Sequence, residues 1–496
     1  MCGIFGIFNH DDAATITALG LHSLQHRGQE ACGIVTHNKN NFYLEKRLGL
    51  VGDNFTKKDV INKLPGKHAI GHNRYATSGK TFLRNVQPFF ADLSSGGLSI
   101  AHNGNLTNSL SLRHKLVDKG AIFQSTSDTE TIIQLIARSK RTNFVDKLID
   151  VLFQIQGGYS LVVMTGKKLI GIRDPFGIRP LVLGELDGSP ILTSETCSLD
   201  IIGAKFVREI ENGEIVIITD SGVKSIKPFP DVKCRPDIFE YIYFSRPDSE
   251  LGGKSIYSCR KNFGIELAKE SRTQADIVTA VPDSGMPAAI GFAEQSKIPF
   301  ELGLIRNHYV GRTFIEPSNK VRQFGVRLKH NANHSCINGK KIILIDDSIV
   351  RGTTCLKIVQ MLNNAGAKEI HMKVASPPIT HPDCYGVDTP KQDELLAARK
   401  KDIKEMAKFI GVKSLSFLSV QGLYNAMGCK KRNENTPQFT DHCFTGDYPI
   451  IPIDKILDKS KYDQLSFLNK KKIPKIFENK IFEKMFSSRK KSQFFF

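Results

Sequence analysis

Apolar positions along the chain fall into two kinds of pattern. Near residues 15–24 and 131–137 they recur close to helical spacing, which predicts helices from Thr15 to Leu24 and from Thr131 to Ala137. Ahead of the second lies Ser127-Asp128-Thr129-Glu130. Ser127 and Glu130 have the spacing of a capping box, and Asp128 suits the positive end of a helix. Short unbroken apolar runs are a different signal. Ile342 to Ile345 reads as a buried strand of a parallel sheet, and the stretch from Asp276 to Val281 is strand-like. Leu356 to Ala365 returns to a helix. From Lys320 to Lys329 no period holds and cations dominate, which predicts a loop. No run approaches the ~18 apolar residues of a membrane-spanning helix.

A length of 496 residues predicts several domains. Pro228, Pro230 and Pro236 lie in a charge-rich stretch that places a boundary near 222–236. The expected units are 2–230, 231–450 and a basic, Phe-containing tail, 451–496. A net charge of +19 would first suggest a nucleic-acid binder. The tail alone holds twelve Lys/Arg against five Asp/Glu, so much of the excess lies away from the candidate chemistry. Phe482 and Phe486 are four apart, which fits an amphipathic helix packed on the body. Neither nucleic acid nor membrane is expected as a partner. Ten scattered cysteines without a C-x-x-C pair exclude a disulfide scaffold and suit a reducing cytoplasm. The N-terminus lacks the features of a signal peptide.

Cys2 directly follows the initiator Met1. Once Met1 is removed, one residue carries both a thiol and an α-amine that titrates near pH ~8, a nucleophile with its own base. Further motifs follow in order: Gln25-His26-Arg27-Gly28-Gln29-Glu30, Gly71-His72-Asn73-Arg74-Tyr75, Ala101-His102-Asn103-Gly104-Asn105 and Ser127-Asp128-Thr129-Glu130. Locally, Asn103-Gly104 is a turn dipeptide and Ser127 a helix cap. Both are places where backbone donors are free for a substrate. Together these motifs resemble the class II glutamine amidotransferases over about residues 2–220. The resemblance implies an N-terminal nucleophile hydrolase fold, an αββα sandwich. It implies Cys2 as the nucleophile on the glutamine amide. Asn103 and the N–H of Gly104 would form the oxyanion hole. Arg74 and Asp128 would clamp the α-carboxylate and α-ammonium of glutamine, with Arg27 in the same glutamine-binding set, shaping the pocket.

In the second half, Asp346-Asp347-Ser348 closes the apolar run, and Arg351-Gly352-Thr353-Thr354 opens the next helix. A strand ending in acids, then a Gly/Thr turn and a helix, is a ligand site at the carboxyl edge of an α/β sheet. The turn and helix start suit a phosphate. The adjacent acids make sense if they bind sugar hydroxyls or a neutralising Mg²⁺. This segment resembles the phosphoribosyl-pyrophosphate (PRPP) motif of type I phosphoribosyltransferases, which implies an α/β domain. Asp346 and Asp347 would hold ribose hydroxyls and Mg²⁺. Ser348, Arg351, Gly352, Thr353 and Thr354 would cradle the 5′-phosphate. Pro282-Asp283-Ser284-Gly285 resembles the pyrophosphate-side loop, with Ser284 at the metal site. The basic loop, Lys320 to Lys329, would close over the substrate.

The two halves in this order resemble the amidophosphoribosyltransferase family. The resemblance implies transfer of ammonia from glutamine to C1 of PRPP, giving 5-phosphoribosylamine, glutamate and pyrophosphate, the first step of de novo purine synthesis. It also implies a cytoplasmic homotetramer inhibited by purine nucleotides. The alternative is a non-catalytic PRPP-sensing regulator. Cys2, Asn103, Gly104 and Asp128 speak against it, since a sensor needs no glutaminase. One branch of the family holds an iron–sulfur cluster on four cysteines. The matching positions here are Asp237, Asp383 (with Cys384 one residue late), Thr440 and Cys443. One thiol of four implies no iron–sulfur cluster.

Overall fold

The computed structural model describes residues 1–75, 82–307, 330–387 and 389–456. The basic loop Lys320 to Lys329 and the tail with Phe482 and Phe486 lie outside the described residues.

Two antiparallel sheets stack in the first half. One has seven strands in the order Lys205–Glu209, Val182–Leu186, Ser189–Thr193, Gly3–Ile7, His68–Arg74, Ala31–Asn38, Asn41–Leu48. The other has six, in the order Gly222–Ile226, Ile215–Thr219, Lys168–Arg173, Gly157–Thr165, Gly96–Leu106, Phe89–Leu93. The strand Gly3–Ile7 is buried along its whole length, which explains its apolar run. Its side chains alternate. Ile4 joins Val162, Ile70 and Leu192 between the sheets. Phe5 and Ile7 face the helix Ala13–Ser23, against Ala14, Ala18 and Leu21. Gly20 makes that approach possible, since a Cβ there would lie 2.4 Å from the Phe5 ring. On the far side, helices Asp128–Arg138 and Phe144–Leu152 place Ile132, Ile136, Leu148 and Val151 against Leu98, Ile100, Leu161 and Val163. The layers are therefore helix, sheet, sheet, helix, the expected sandwich.

The capping box is only half made. Ser127 Oγ accepts from the Thr129 N–H (3.4 Å), but Glu130 does not return to Ser127. It turns to the preceding loop and accepts from the N–H groups of Gln124 (2.8 Å) and Ser125 (2.7 Å). Glu130 thus orders the loop that delivers Asp128 rather than the helix end itself.

The second half is built on four parallel strands in the order Ile277–Ala280, Lys341–Asp346, Glu369–Val374, Ser414–Phe417. Both faces are covered, as the unbroken apolar runs required. Ile343 and Ile345 pack with Phe263, Ala288 and Phe292 from helices Ile256–Glu270 and Met286–Ser296. Ile342 and Leu344 pack with Ile358, Leu362 and Ile410 from helices Thr353–Asn364 and Ile403–Ile410. The last strand of the sandwich ends at Ile226, and the next helical element is one π-helical turn, Glu240–Phe244. Beyond the parallel sheet the chain returns to the sandwich. Asp454 accepts from the N–H groups of Leu110 (2.7 Å) and Ser111 (3.2 Å) at the start of helix Ser109–Val117. Among the described residues no helix is long and apolar enough to cross a membrane.

Candidate active site

Cys2 lies at the head of the strand Gly3–Ile7 and is only 8% exposed. Its backbone N–H donates to Asn103 Oδ1 (3.2 Å), and its Sγ points at the carbonyl of Tyr75 (3.9 Å). Asn103 is fully buried on the strand Gly96–Leu106, and among the described residues its Nδ2 has no partner. A buried amide donor left unspent beside a thiol is costly unless something else uses it. Gly104 follows with φ +141°, and a Cβ there would meet the Gly158 carbonyl oxygen at 2.0 Å. Only glycine fits that point of the strand. Two successive residues thus offer donors of different kinds next to the nucleophile, the arrangement an oxyanion hole needs.

Arg27 stands behind Cys2 with no exposed surface. Its Nε donates to the Cys2 carbonyl (3.0 Å), and its two terminal nitrogens bind Glu240 at 3.1 and 2.8 Å. Nη1 also pairs with Glu195. Burial would press its pKa down, but Glu240 and Glu195 outweigh that and hold it above the ordinary value. With its guanidinium committed this way, Arg27 bears on the pocket through Cys2. Its assignment to the set that touches glutamine finds no support in this placement. The Met1 side chain is enclosed beside Arg27 and Arg179, and burial lowers its amine to about 5.

Arg74 and Asp128 are brought to the same neighbourhood by Asn85. The Asn85 carbonyl accepts from Arg74 Nη1 (2.9 Å), while its side chain bonds both the hydroxyl (2.9 Å) and the N–H (3.0 Å) of Thr126. Arg74 Nε is buried without a partner among the described residues. Asp128 Oδ2 accepts from the Leu106 N–H (3.0 Å), and His102 Nδ1 lies 3.6 Å from Oδ1. Burial would raise the Asp128 pKa; His102 and the backbone donors bring it below its ordinary value. It is an anion at neutral pH, fit for an ammonium.

On the other side, Asp346 and Asp347 are both buried at the carboxyl end of their strand. Burial and the neighbouring Asp347 push Asp346 well above the usual carboxylate range. Asp346 accepts from the Asp347 N–H (3.0 Å) and from the Cys355 thiol (3.8 Å). Ser348 Oγ donates to Asp347 (2.7 Å), and Arg351 pairs with Glu394 (3.0 Å). Gly352, at φ +76°, begins helix Thr353–Asn364, with Thr353 and Thr354 exposed at its start. The loop holding Ser284 lies alongside. Val281 N–H donates to the Ile345 carbonyl (2.8 Å), and a Cβ on Gly285 would stand 2.7 Å from that oxygen. All the predicted residues of this site meet at one sheet edge, although Ser348 and Arg351 spend their polar groups locally.

Three features carried no signal strong enough to single them out. Glu195 has neighbours with no evident chemistry. Glu240 sits within Phe239-Glu240-Tyr241-Ile242, and an acid in an apolar stretch must be paired when buried, which is a usable clue. Tyr243, in the π-helical turn Glu240–Phe244, has its hydroxyl pushed up to about 12 by burial and then by Asp347 and Tyr75.

The four positions matched to the iron–sulfur branch also meet. Asp237 forms a bridge with Thr440 and an ion pair with Arg179 (2.6 Å). Asp383 pairs with His442 (2.9 Å), which holds its carboxyl below the ordinary value despite burial. Asp383, His442 and Cys443 present one ligand atom each within 4.8 Å of one another.

A family model described as a glutamine amidotransferase domain matches residues 72–200. An amidophosphoribosyltransferase of Rhizobium etli is 58% identical over 462 residues, 92% of each chain. One from Bacillus subtilis is 47% identical over 449 residues, covering 90% of this chain and 94% of that protein. The solved glutamine PRPP amidotransferase of B. subtilis, complexed with ADP and GMP, matches with a TM-score of 0.85 and 46% identity, covering 91% of this chain and 98% of that one. At that identity, over nearly the full length of both chains, this protein belongs to the amidophosphoribosyltransferase family.

Proposed function

We propose that this chain performs the family's reaction as two half-reactions at two sites. At Cys2, the thiol attacks the side-chain carbonyl of glutamine, its proton passing to the α-amine freed by loss of Met1. The C–N bond breaks, ammonia leaves, and water releases glutamate from the thioester. Asn103 Nδ2 and the Gly104 N–H take the oxyanion, and Arg74 and Asp128 hold the amino-acid end. At Asp346 and Asp347, ammonia attacks C1 of PRPP and pyrophosphate departs, leaving 5-phosphoribosylamine. Ser348, Arg351, Gly352, Thr353 and Thr354 receive the 5′-phosphate once substrate draws Arg351 and Ser348 from their local partners. The observation that carries the reading is the buried, unspent Asn103 amide beside the Cys2 thiol. A PRPP sensor has no use for it.

The donor set fits Mg²⁺. Two buried carboxylates that repel each other, at the strand end beside the loop that carries Ser284, offer oxygen ligands to a hard cation. Bound there with PRPP, the cation would neutralise the diphosphate as it leaves. Asp346 and Asp347 would then also orient the ribose hydroxyls. The positions matched to the iron–sulfur branch hold an Arg179–Asp237 ion pair and an Asp383–His442 contact, which supports an enzyme without that cluster. We further propose units 2–230 and 231–450 with a tail 451–496, a cytoplasmic homotetramer, and purine nucleotides as feedback inhibitors. The ADP and GMP bound to the B. subtilis relative support the last.

The test is pyrophosphate release from PRPP with Mg²⁺, measured with and without glutamine. Glutamine-dependent release is expected. PRPP binding without turnover on either glutamine or ammonium would favour the sensor.

A further inference from the structure

We infer that Glu240 is a positioning residue for Cys2, acting through Arg27; the inference rests on Cys2 being the glutamine-attacking nucleophile. Glu240 belongs to the π-helical turn Glu240–Phe244, beyond the last strand of the sandwich. Its carboxylate nevertheless reaches back to grip the residue behind the nucleophile. Arg27 Nη1 and Nη2 bind its two oxygens at 3.1 and 2.8 Å, a bidentate fork. The same guanidinium then has one direction left for Nε, which is the Cys2 carbonyl at 3.0 Å.

Each carboxylate in this network is anchored from the other unit. Glu195, from the sandwich, accepts from the Arg246 N–H (2.9 Å) and the Ser249 hydroxyl (2.7 Å) of the second unit. Glu240, from the second unit, is bound by Arg27 and by Arg179 (3.3 Å) of the sandwich, and by Ser245 Oγ (2.8 Å) of its own. All of these side chains are buried. A planar guanidinium between two fixed carboxylates cannot rotate without breaking a charge-assisted bond in the interior. Removing the Glu240 charge leaves Glu195 as the only strong partner. Arg27 then turns toward it, and the Nε bond that holds Cys2 is lost.

Glu240→Gln keeps the shape of the side chain and removes its charge. In the full-length enzyme, glutamine-dependent turnover is expected to fall roughly 10- to 100-fold, the range for a misplaced reacting group. Alkylation of Cys2 by a diazoketone analogue of glutamine should slow in parallel. Ammonium-dependent turnover should stay within about twofold, because that chemistry does not use Cys2. Glu240→Asp, which restores the charge, should recover part of the alkylation rate. Equal loss of both turnovers, insolubility of both variants, or an unchanged alkylation rate would overturn the inference. Failure of the wild-type enzyme to use glutamine while still using ammonium would instead overturn the assignment of Cys2.

Discussion

Around Cys2, charged groups meet partners inside the fold: Arg27 lies between Glu195 and Glu240, and Asp128 lies against His102 and the Leu106 N–H. Their pKa values are pushed toward the charged forms. At the end of the strand Lys341–Asp346 the balance is reversed. Two carboxylates face each other, and Asp346 is pushed toward its neutral form by burial and by Asp347. Ser348 and Arg351 are held by local acids. The first site is organised before substrate arrives, as electrostatic catalysis of amide cleavage requires. In the function proposed above, the second would be completed by a polyanion and a cation, as would suit an enzyme that releases ammonia only when an acceptor is bound.

The sharpest way to break this comparison is to remove one site and assay the other. Cys2→Ala should abolish glutamine-dependent turnover, by ~10⁴-fold or more, since a nucleophile's loss leaves only residual stabilisation. Turnover with high ammonium at alkaline pH should persist. Loss of both activities would show that the sites are not separable. Mass spectrometry of the active enzyme should find Met1 absent, because the buried Met1 amine leaves Cys2 without a free one.

Asn103→Ala is expected to cost ~10²–10³-fold in glutaminase kcat with a small change in KM for glutamine. A raised KM at constant kcat would move Asn103 from the oxyanion to the ground-state amide. The complementary change, Asp346→Asn with Asp347→Asn, should lower PRPP use roughly 100-fold with either nitrogen source, as expected when a substrate loses its orienting groups. Basal glutaminase should survive. PRPP affinity that does not change would place the sugar elsewhere.

The chain announced its local geometry better than its long-range pairing. The run Ile342 to Ile345 reads as a buried strand and is one, and the acids that close it, Asp346 and Asp347, lie at its carboxyl end. Asn103-Gly104 reads locally as a turn, but both residues lie within the strand Gly96–Leu106, opposite Ser160 and Tyr159; the local turn rule lost to sheet pairing. Glu195 was not visible, because nothing near it in sequence predicts that it meets Arg27, 168 residues away. Glu130 misled for the opposite reason. Its spacing from Ser127 satisfied a local rule, but the loop N–H groups of Gln124 and Ser125 offered a better partner. The Arg27 motif indicated importance without direction: placing the guanidinium behind Cys2, between Glu195 and Glu240, required the fold.

The smallest expected effect tests whether the buried carboxylates of the first site are as strongly committed as their geometry implies. Glu195 and Glu240 would both be raised by burial, but His26 and Arg27 for the first and Arg27 and Arg179 for the second hold them below the ordinary value. An acid with a depressed folded pKa contributes stability that is fully present above its unfolded pKa, near ~4.3. That contribution is lost as pH falls from there through the folded value. Glu240→Gln should therefore be less stable than wild type by about 1–3 kcal/mol at pH 7, the cost of weakening a buried charge-assisted bond. The gap should narrow as pH drops below ~4.3, where only the wild type has a carboxylate to protonate. Thermal unfolding of both proteins at neutral and acid pH measures it. A gap independent of pH would mean that the Glu240 charge contributes nothing beyond its shape, and the first site would then owe less to electrostatics than the comparison with the second suggests.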